Sequence, residues 1–474
     1  MPGFNRSLTL LDAMMLVAGS MIGSGIFIVS ADMLRQLGSP AWMMAAWVVS
    51  GIMTVLAALA YGELAAMMPK AGGQYVYIQR AFGKLPAFMY GWTVFTVIQT
   101  GLIAAVAVAF AKYTAVFLPA LGEQHVLLHL GALRINASQV LAIASIVFLT
   151  AFNARGVRKG KVLQTSFTLA KILALVALVV AGLWVGLGTG TLTQNFGAGW
   201  QATGLRTGVD GAEAAVPLSG MLLVSAFGVA LVGSLFSSDA WNNVTFIAGE
   251  VDRPQRNIPL GLVLGTGLVT VLYLLANFAY LALLPVQDIQ HAAQDRVGAA
   301  AAAVIFGNKG ALIMAALIMV STFGCNNGII LSGARLYYAM AKDGLFFRRA
   351  GVLNDAAVPG HALWVQCIWA SLLCLSGRYG DLLEYTMFAS LLFYIVTIAG
   401  LFVLRRKEPQ AERPYRAWGY PVLPAIYIAA AAAFCINLLW RKPVYTGMGL
   451  AIVMLGAIVY AFMPKQGNAP APED

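Results

Sequence analysis

The residues best able to do chemistry in this 474-residue chain lie inside its apolar stretches. Residues 17–28 read VAGSMIGSGIFI, which puts Gly19, Ser20, Gly23, Ser24 and Gly25 within a long hydrophobic segment, 12–36. A glycine weakens a helix by about 1 kcal/mol relative to alanine, so this cluster invites a break. In hydrocarbon a broken helix leaves N–H and C=O groups without partners, at several kcal/mol each. A ligand in a polar cavity can supply those partners. The amides of Gly23, Ser24 and Gly25, opening a half-helix, would then face a carboxylate. The same small residues would also let two helices pack closely, and this stretch alone leaves both readings open.

A second interruption lies at 233–243, GSLFSSDAWNN. Ser237, Ser238, Asp239, Asn242 and Asn243 all favour local side-chain-to-backbone bonds over helix. Two interrupted hydrophobic segments, one in each half of a chain, point to a binding site at a repeat interface. The candidate substrate residues are therefore Gly23, Ser24 and Gly25 at the first break and Ser237, Ser238, Asp239 and Asn242 at the second. Met21, Ile22, Phe236 and Trp241 join them only through the resemblance that the motifs of the chain carry. Lys171 is the one cation placed inside a span, roughly 14 Å deep by helical rise. A charge there costs at least ~2.5 kcal/mol unless paired or hydrated, so it reads as a gating or coupling residue, with a buried ion pair as the alternative. Glu63, about two turns from the end of its span, is a second gating or coupling candidate. Such a glutamate also commonly bonds a neighbouring helix or loop.

These residues need a membrane-embedded scaffold, and the composition provides one. The chain is 60% hydrophobic and 10% charged, whereas a soluble domain has about a quarter of its residues charged. An all-α polytopic membrane protein is expected, with about 12 transmembrane helices. They fall at 12–36, 41–67, 86–112, 138–152, 162–187, 221–250, 258–284, 310–341, 361–377, 381–404, 421–440 and 444–463. The start reads as no cleavable signal peptide, and the polar tail after Lys465 reads as disordered. The stretch 188–220 reads as a loop without strong periodicity. The whole, 1–474, is one transmembrane domain: a first repeat at 12–187, a second at 221–404 and two peripheral helices at 421–463.

The net charge of +11 is not a nucleic-acid signal, because it partitions by loop. Twenty Lys and Arg lie on the N-terminal side of the membrane and nine on the other, so the positive-inside rule puts both termini in the cytoplasm. Cys325, Cys367, Cys374 and Cys435 all fall in spans. Cys367 and Cys374 are about 10 Å apart along one helix, too far for a disulfide. His125, His129, His291 and His361 sit in or beside loops, away from any intramembrane proton relay. No cofactor, metal site or catalytic group is expected, and neither H-E-x-x-H nor G-x-S-x-G occurs. An enzyme or a channel is thus the remote alternative.

Six ordered motifs carry a resemblance. They are GSGIF at 23–27, Glu63 through GGQYVY at 72–77, Lys171, FSSDAWN at 236–242, EVDRPQRNIP at 250–259 and RLYYAMAKDG at 335–344. Together they resemble the amino acid–polyamine–organocation superfamily, in its L-amino acid transporter branch of bacterial-type permeases. The resemblance implies a LeuT-like 5+5 inverted repeat with broken helices 1 and 6. It implies that the substrate carboxylate meets amides around Ser24 and Gly25, and the ammonium carbonyls near Met21, Ile22 and Phe236. Phe236 would be the outer aromatic gate. Lys171 would stand where sodium-coupled relatives bind the ion, tying the first span to the eighth. Sodium-independent exchange of small or medium neutral amino acids follows, with proton-coupled symport or transport of cationic amino acids or polyamines as alternatives. Asp239 would cap the unwound segment, as its capping neighbours Ser238 and Asn242 suggest, or recognise a cation. Animal light-chain members carry a loop cysteine that bonds a glycoprotein partner. The loop 121–137 has none, so no disulfide-linked heavy chain is expected. The partners implied are the amino acid and the lipid bilayer, with no nucleic acid; the sequence sets no oligomeric state.

Overall fold

Where apolar runs are interrupted only by loops, the backbone must satisfy itself internally, and it does so as helix. The computed structural model of the chain describes residues 4, 6–130, 133–207, 213–375 and 379–463. Eight of its helices are long and apolar enough to cross a membrane, and four shorter apolar helices complete the set of twelve. The second span runs Pro40–Met67, opened by Ser39, whose hydroxyl accepts from the Trp42 amide, and by Pro40 in the first turn. The fourth, Ala137–Asn153, is short, as its sequence suggests. It starts at a capping box in which Asn136 and Gln139 each bond the other's backbone. The tail after Lys465 lies outside the described residues.

The first span is interrupted. It runs Leu10–Met21, loses its helix at 22–24, makes a single turn Gly25–Phe27 and resumes as Val29–Leu37. The sixth runs Gly220–Ser237, breaks, and continues only as the short turns Asn243–Phe246 and Ala248–Glu250. Its inner half is thus less regular than the expected span 221–250. Ser237 bonds back to the Gly233 carbonyl, while Asp239 and Asn242 reach the tenth span and Gln74, and Ala240 adopts left-handed backbone at φ 64°.

The first span packs on the sixth, the second on the seventh, the third on the eighth and the fourth on the ninth. Each partner is five spans away along the chain. The seventh, Pro254–Leu283, and the eighth, Gly310–Lys342, lie against both halves of this core. The tenth is Tyr379–Lys407 and the last two are Val422–Arg441 and Pro443–Phe462, at the edge of the bundle.

Two loops differ from expectation. Residues 188–220 hold a short helix, Thr191–Phe196, and paired strands Ala202–Thr207 and Glu213–Leu218. Ser39 donates to the Gly199 carbonyl and Trp42 to that of Trp200, so the loop is tied to the second span. The loop 121–137 also contains a hairpin, Val126–Leu130 with Leu133–Asn136. These strands are too short and too weakly alternating to stand out against the apolar runs around them.

Candidate functional site

The two breaks lie against each other. Gly25 is in close approach to Ser237: a Cβ added to it would sit 2.3 Å from the Ser237 hydroxyl. Tyr273 of the seventh span closes the pair, its hydroxyl 3.0 Å from the carbonyls of both Met21 and Ser237. A Gly25→Ala variant should therefore lose roughly tenfold or more of its flux, since overpacking costs about 1–3 kcal/mol. Ser237→Gly, added to it, should restore part of the loss. Normal uptake by Gly25→Ala alone would mean that the two breaks separate during function.

The first break offers donors and hides most of its acceptors. The amides of Gly23, Ser24 and Gly25 have no acceptor among the described residues. These are orphan donors at the start of a helical turn, an anion-binding arrangement. The carbonyls are mostly engaged. Lys171 is 2% exposed and donates to the carbonyls of Gly19 and Ile22, the latter at 2.7 Å. A third carbonyl, Ser321 of the eighth span, lies 3.4 Å away. The Ser321 hydroxyl reaches the Ile22 carbonyl at 3.0 Å, and the Cys325 thiol that of Ser20 at 3.0 Å. Among the described residues Lys171 thus bonds backbone carbonyls of the first and eighth spans and no carboxylate.

The Ile22 carbonyl accepts Lys171 at 2.7 Å, and the single Ser321 hydroxyl proton lies between the Ile22 carbonyl at 3.0 Å and the Gly23 carbonyl at 3.2 Å. Of the other two carbonyls expected to meet a substrate ammonium, that of Met21 accepts Tyr273 at 3.0 Å and that of Phe236 the Asp239 amide at 3.1 Å.

At the second break, Asp239 is buried and accepts the hydroxyl of Tyr394 in the tenth span. No lysine or arginine pairs with it among the described residues. Asn242 donates to the Gln74 side-chain carbonyl at 2.9 Å, and Tyr90 donates to the same oxygen at 2.9 Å. Gln74 in turn donates to Thr397 at 3.0 Å. The GGQYVY segment therefore braces the broken span. Gly73, at φ 45°, has no room for a side chain: a Cβ would lie 2.3 Å from the Thr245 hydroxyl. Ser237 donates back to the Gly233 carbonyl at 2.8 Å. Ser238 lies 3.5 Å from Ser50, hydroxyl to hydroxyl, and Trp241 is buried against Tyr61 and Tyr394. Phe236 is only half-buried between buried neighbours.

Glu63 does not sit among these groups. Arg405 holds it at 2.9 and 2.6 Å, Arg413 lies at 3.2 Å, and the Ala417 amide donates at 2.6 Å. Its oxygens are committed to the tenth span and the loop that follows it, as a glutamate that bonds a neighbouring helix or loop would be. Nearby, hydrogen bonding from Arg80 holds the Glu408 carboxyl below the usual carboxylate range.

The first break is approached from one side, at Ser24. A cavity of about 580 Å³ has Ser24 and Ile28 at its base. Its walls are the end of the third span, at Val108, Lys112 and Tyr113, and the loop at Asp295 and Arg296. On the N-terminal side the chain is closed. Leu8 pairs with Val251, and the amides of Ser7 and Leu8 donate to the Glu250 carbonyl at 3.0 Å. Lys161 bonds Asp12 at 2.6 Å and the Ser7 carbonyl at 3.2 Å. Arg335, fully buried, bonds Glu250 at 2.8 Å. Access from one face with closure at the other is one state of an alternating-access device.

Sequence reasoning did not single out Tyr273. Its signal was an aromatic hydroxyl deep in an apolar run, which seeks a partner when buried.

Comparison with known proteins agrees with this geometry. The profile of the family described as amino acid permease matches residues 8–464. The serine/threonine exchanger SteT of Bacillus subtilis is 27% identical over 98% of this chain and 98% of its own length. The mouse large neutral amino acids transporter small subunit 2 is 31% identical, over 96% of this chain and 80% of its own. The mouse b(0,+)-type amino acid transporter 1 is 29% identical, over 97% and 88% respectively.

Proposed function

This chain belongs to the amino acid permease family, and from that premise we propose that it exchanges small or medium neutral L-amino acids by alternating access, without sodium. The observation that carries the reading is the first break: three unpartnered amides beside a cavity, in a helix whose carbonyls are held by Lys171. The substrate carboxylate takes the amides of Gly23, Ser24 and Gly25. Its ammonium takes the remaining lone pairs of the Met21 and Phe236 carbonyls, at the C-terminal end of a half-helix where a cation is favoured. Phe236 then folds over the occupied site. The ammonium of Lys171 supplies the charge that a sodium ion would otherwise bring between the first and eighth spans.

The five-span packing offset supports an inverted repeat over 12–187 and 221–404, with 421–463 peripheral. The 20-to-9 charge partition supports a plasma membrane, bacterial inner membrane in type, with both termini cytoplasmic. The cavity of about 580 Å³ then opens outward. No disulfide-linked heavy chain is needed, since all four cysteines are buried.

A competition panel tests the substrate class. In proteoliposomes, labelled serine uptake should be reduced by unlabelled alanine, serine and leucine and little affected by arginine or putrescine. Strong inhibition by arginine would reassign the site to cations.

Asp239 favours a second reading, proton-coupled symport or cation recognition, because it is a buried acid with no cationic partner among the described residues. An asparagine in its place still offers an oxygen to Tyr394. Asp239→Asn should thus leave serine exchange largely unchanged, with a flat dependence on external pH. Loss of pH-driven accumulation, or loss confined to cationic substrates, would make Asp239 the coupling or recognition residue.

A further inference from the structure

The geometry points to a binding groove for one anionic phospholipid between the sixth and eleventh spans, with its phosphate on Arg441 and an acyl chain in the groove. The two spans touch closely at one point. Asn437 donates to the Ser225 carbonyl at 3.2 Å, and a Cβ on Gly228 would lie 2.3 Å from the Asn437 amide nitrogen. Alongside this contact they leave a groove of about 450 Å³. Its walls are apolar, from Leu222 and Phe227 on one side and Phe434 and Ile436 on the other. Its mouth carries Trp440, 77% exposed, and Arg441.

Most of a membrane protein's lipid face is convex and uncharged, so ordinary solvation by lipid needs no special feature. This site differs in two ways. It is concave, with a volume in the range of small-molecule pockets, about 300–1,000 Å³. It also ends in a guanidinium that has no carboxylate partner among the described residues. Arginine's planar fork matches a phosphate, and a tryptophan beside it marks the depth of the headgroups. An apolar slot that ends in a cation at headgroup depth fits an anionic phospholipid better than a sterol or a free anion.

The groove also touches the moving part. Phe227 packs on Trp42 with ring centroids 5.7 Å apart, and its helix ends at Phe236 and the break. A lipid seated there stiffens the outer half of the sixth span and sets how readily it swings.

Native mass spectrometry of the purified full chain, with phosphatidylglycerol or phosphatidylcholine added to the detergent, tests this directly. The wild-type protein should retain one phosphatidylglycerol, with on the order of fivefold preference for it, as an exposed ion pair of up to about 1 kcal/mol supplies. Arg441→Gln should abolish the preference. Leu222→Trp, which fills the groove, should abolish retention. Both variants should exchange amino acids at wild-type rates in phosphatidylcholine vesicles, and only the wild type should speed up when phosphatidylglycerol is included. Equal retention of the two lipids by the wild-type protein, or retention unchanged in both variants, would overturn the assignment. So would a dimer that Leu222→Trp dissociates with no lipid retained.

Discussion

Replacing Lys171 with alanine or methionine should abolish exchange, with flux at least about 100-fold below wild type and expression intact. The Lys171 ammonium is the common donor to Gly19 and Ile22 and lies beside Ser321 of the eighth span. Hydrogen bonds to a charged group contribute roughly 1.5–3 kcal/mol each. Two of them hold the unwound carbonyls at about 3–6 kcal/mol in total, which converts to at least two orders of magnitude in a population. Without them the orphaned carbonyls must turn elsewhere, and the amides of Gly23–Gly25 no longer point together. The methionine variant keeps volume and removes only the donors, so it separates loss of the tie from loss of packing. Near-normal flux in the methionine variant would remove Lys171 from the mechanism.

Breaking the Arg335–Glu250 pair should have the next largest effect, and on stability first. Both side chains are at most 1% exposed. Removing one partner of such a pair leaves an uncompensated buried charge and costs about 3–5 kcal/mol. Arg335→Ala should therefore lower the unfolding temperature in detergent by about 3–5 °C. The double change Arg335→Met with Glu250→Leu should recover most of that, because a well-packed apolar pair removes both desolvation penalties. The double variant should still exchange poorly. The pair sits where the Glu250 backbone receives Ser7 and Leu8, so it belongs to the closed N-terminal face. A single Arg335→Ala variant as stable as wild type would show that the pair is not desolvated in the membrane.

How far the sequence carries the fold is clear from particular elements. The spans were legible because apolar length is the only solution to an unsatisfied backbone in lipid. Both breaks were legible for the converse reason: glycines at 19–25 and short polar residues at 237–243 weaken helix where nothing else explains them. Lys171 was legible as a lone charge at depth. The carbonyls it would choose were not, because Ser321 of a distant span arrives beside them only in the fold. Glu63 marks another limit. Its partners Arg405, Arg413 and the Ala417 amide lie more than 340 residues away, and only packing brings them in. The same holds for Gln74, whose bonds to Asn242 and Tyr90 explain a motif that sequence could locate but not interpret.

The central claim is an occluding exchange site at the first break, with Lys171 in the place of sodium. The most direct test is uptake of labelled serine into proteoliposomes that are empty or loaded with unlabelled serine, in sodium or potassium buffer. The account predicts fast uptake only into loaded vesicles, identical in the two buffers and lost in Lys171→Met. Accumulation in empty vesicles driven by a sodium or proton gradient would contradict it.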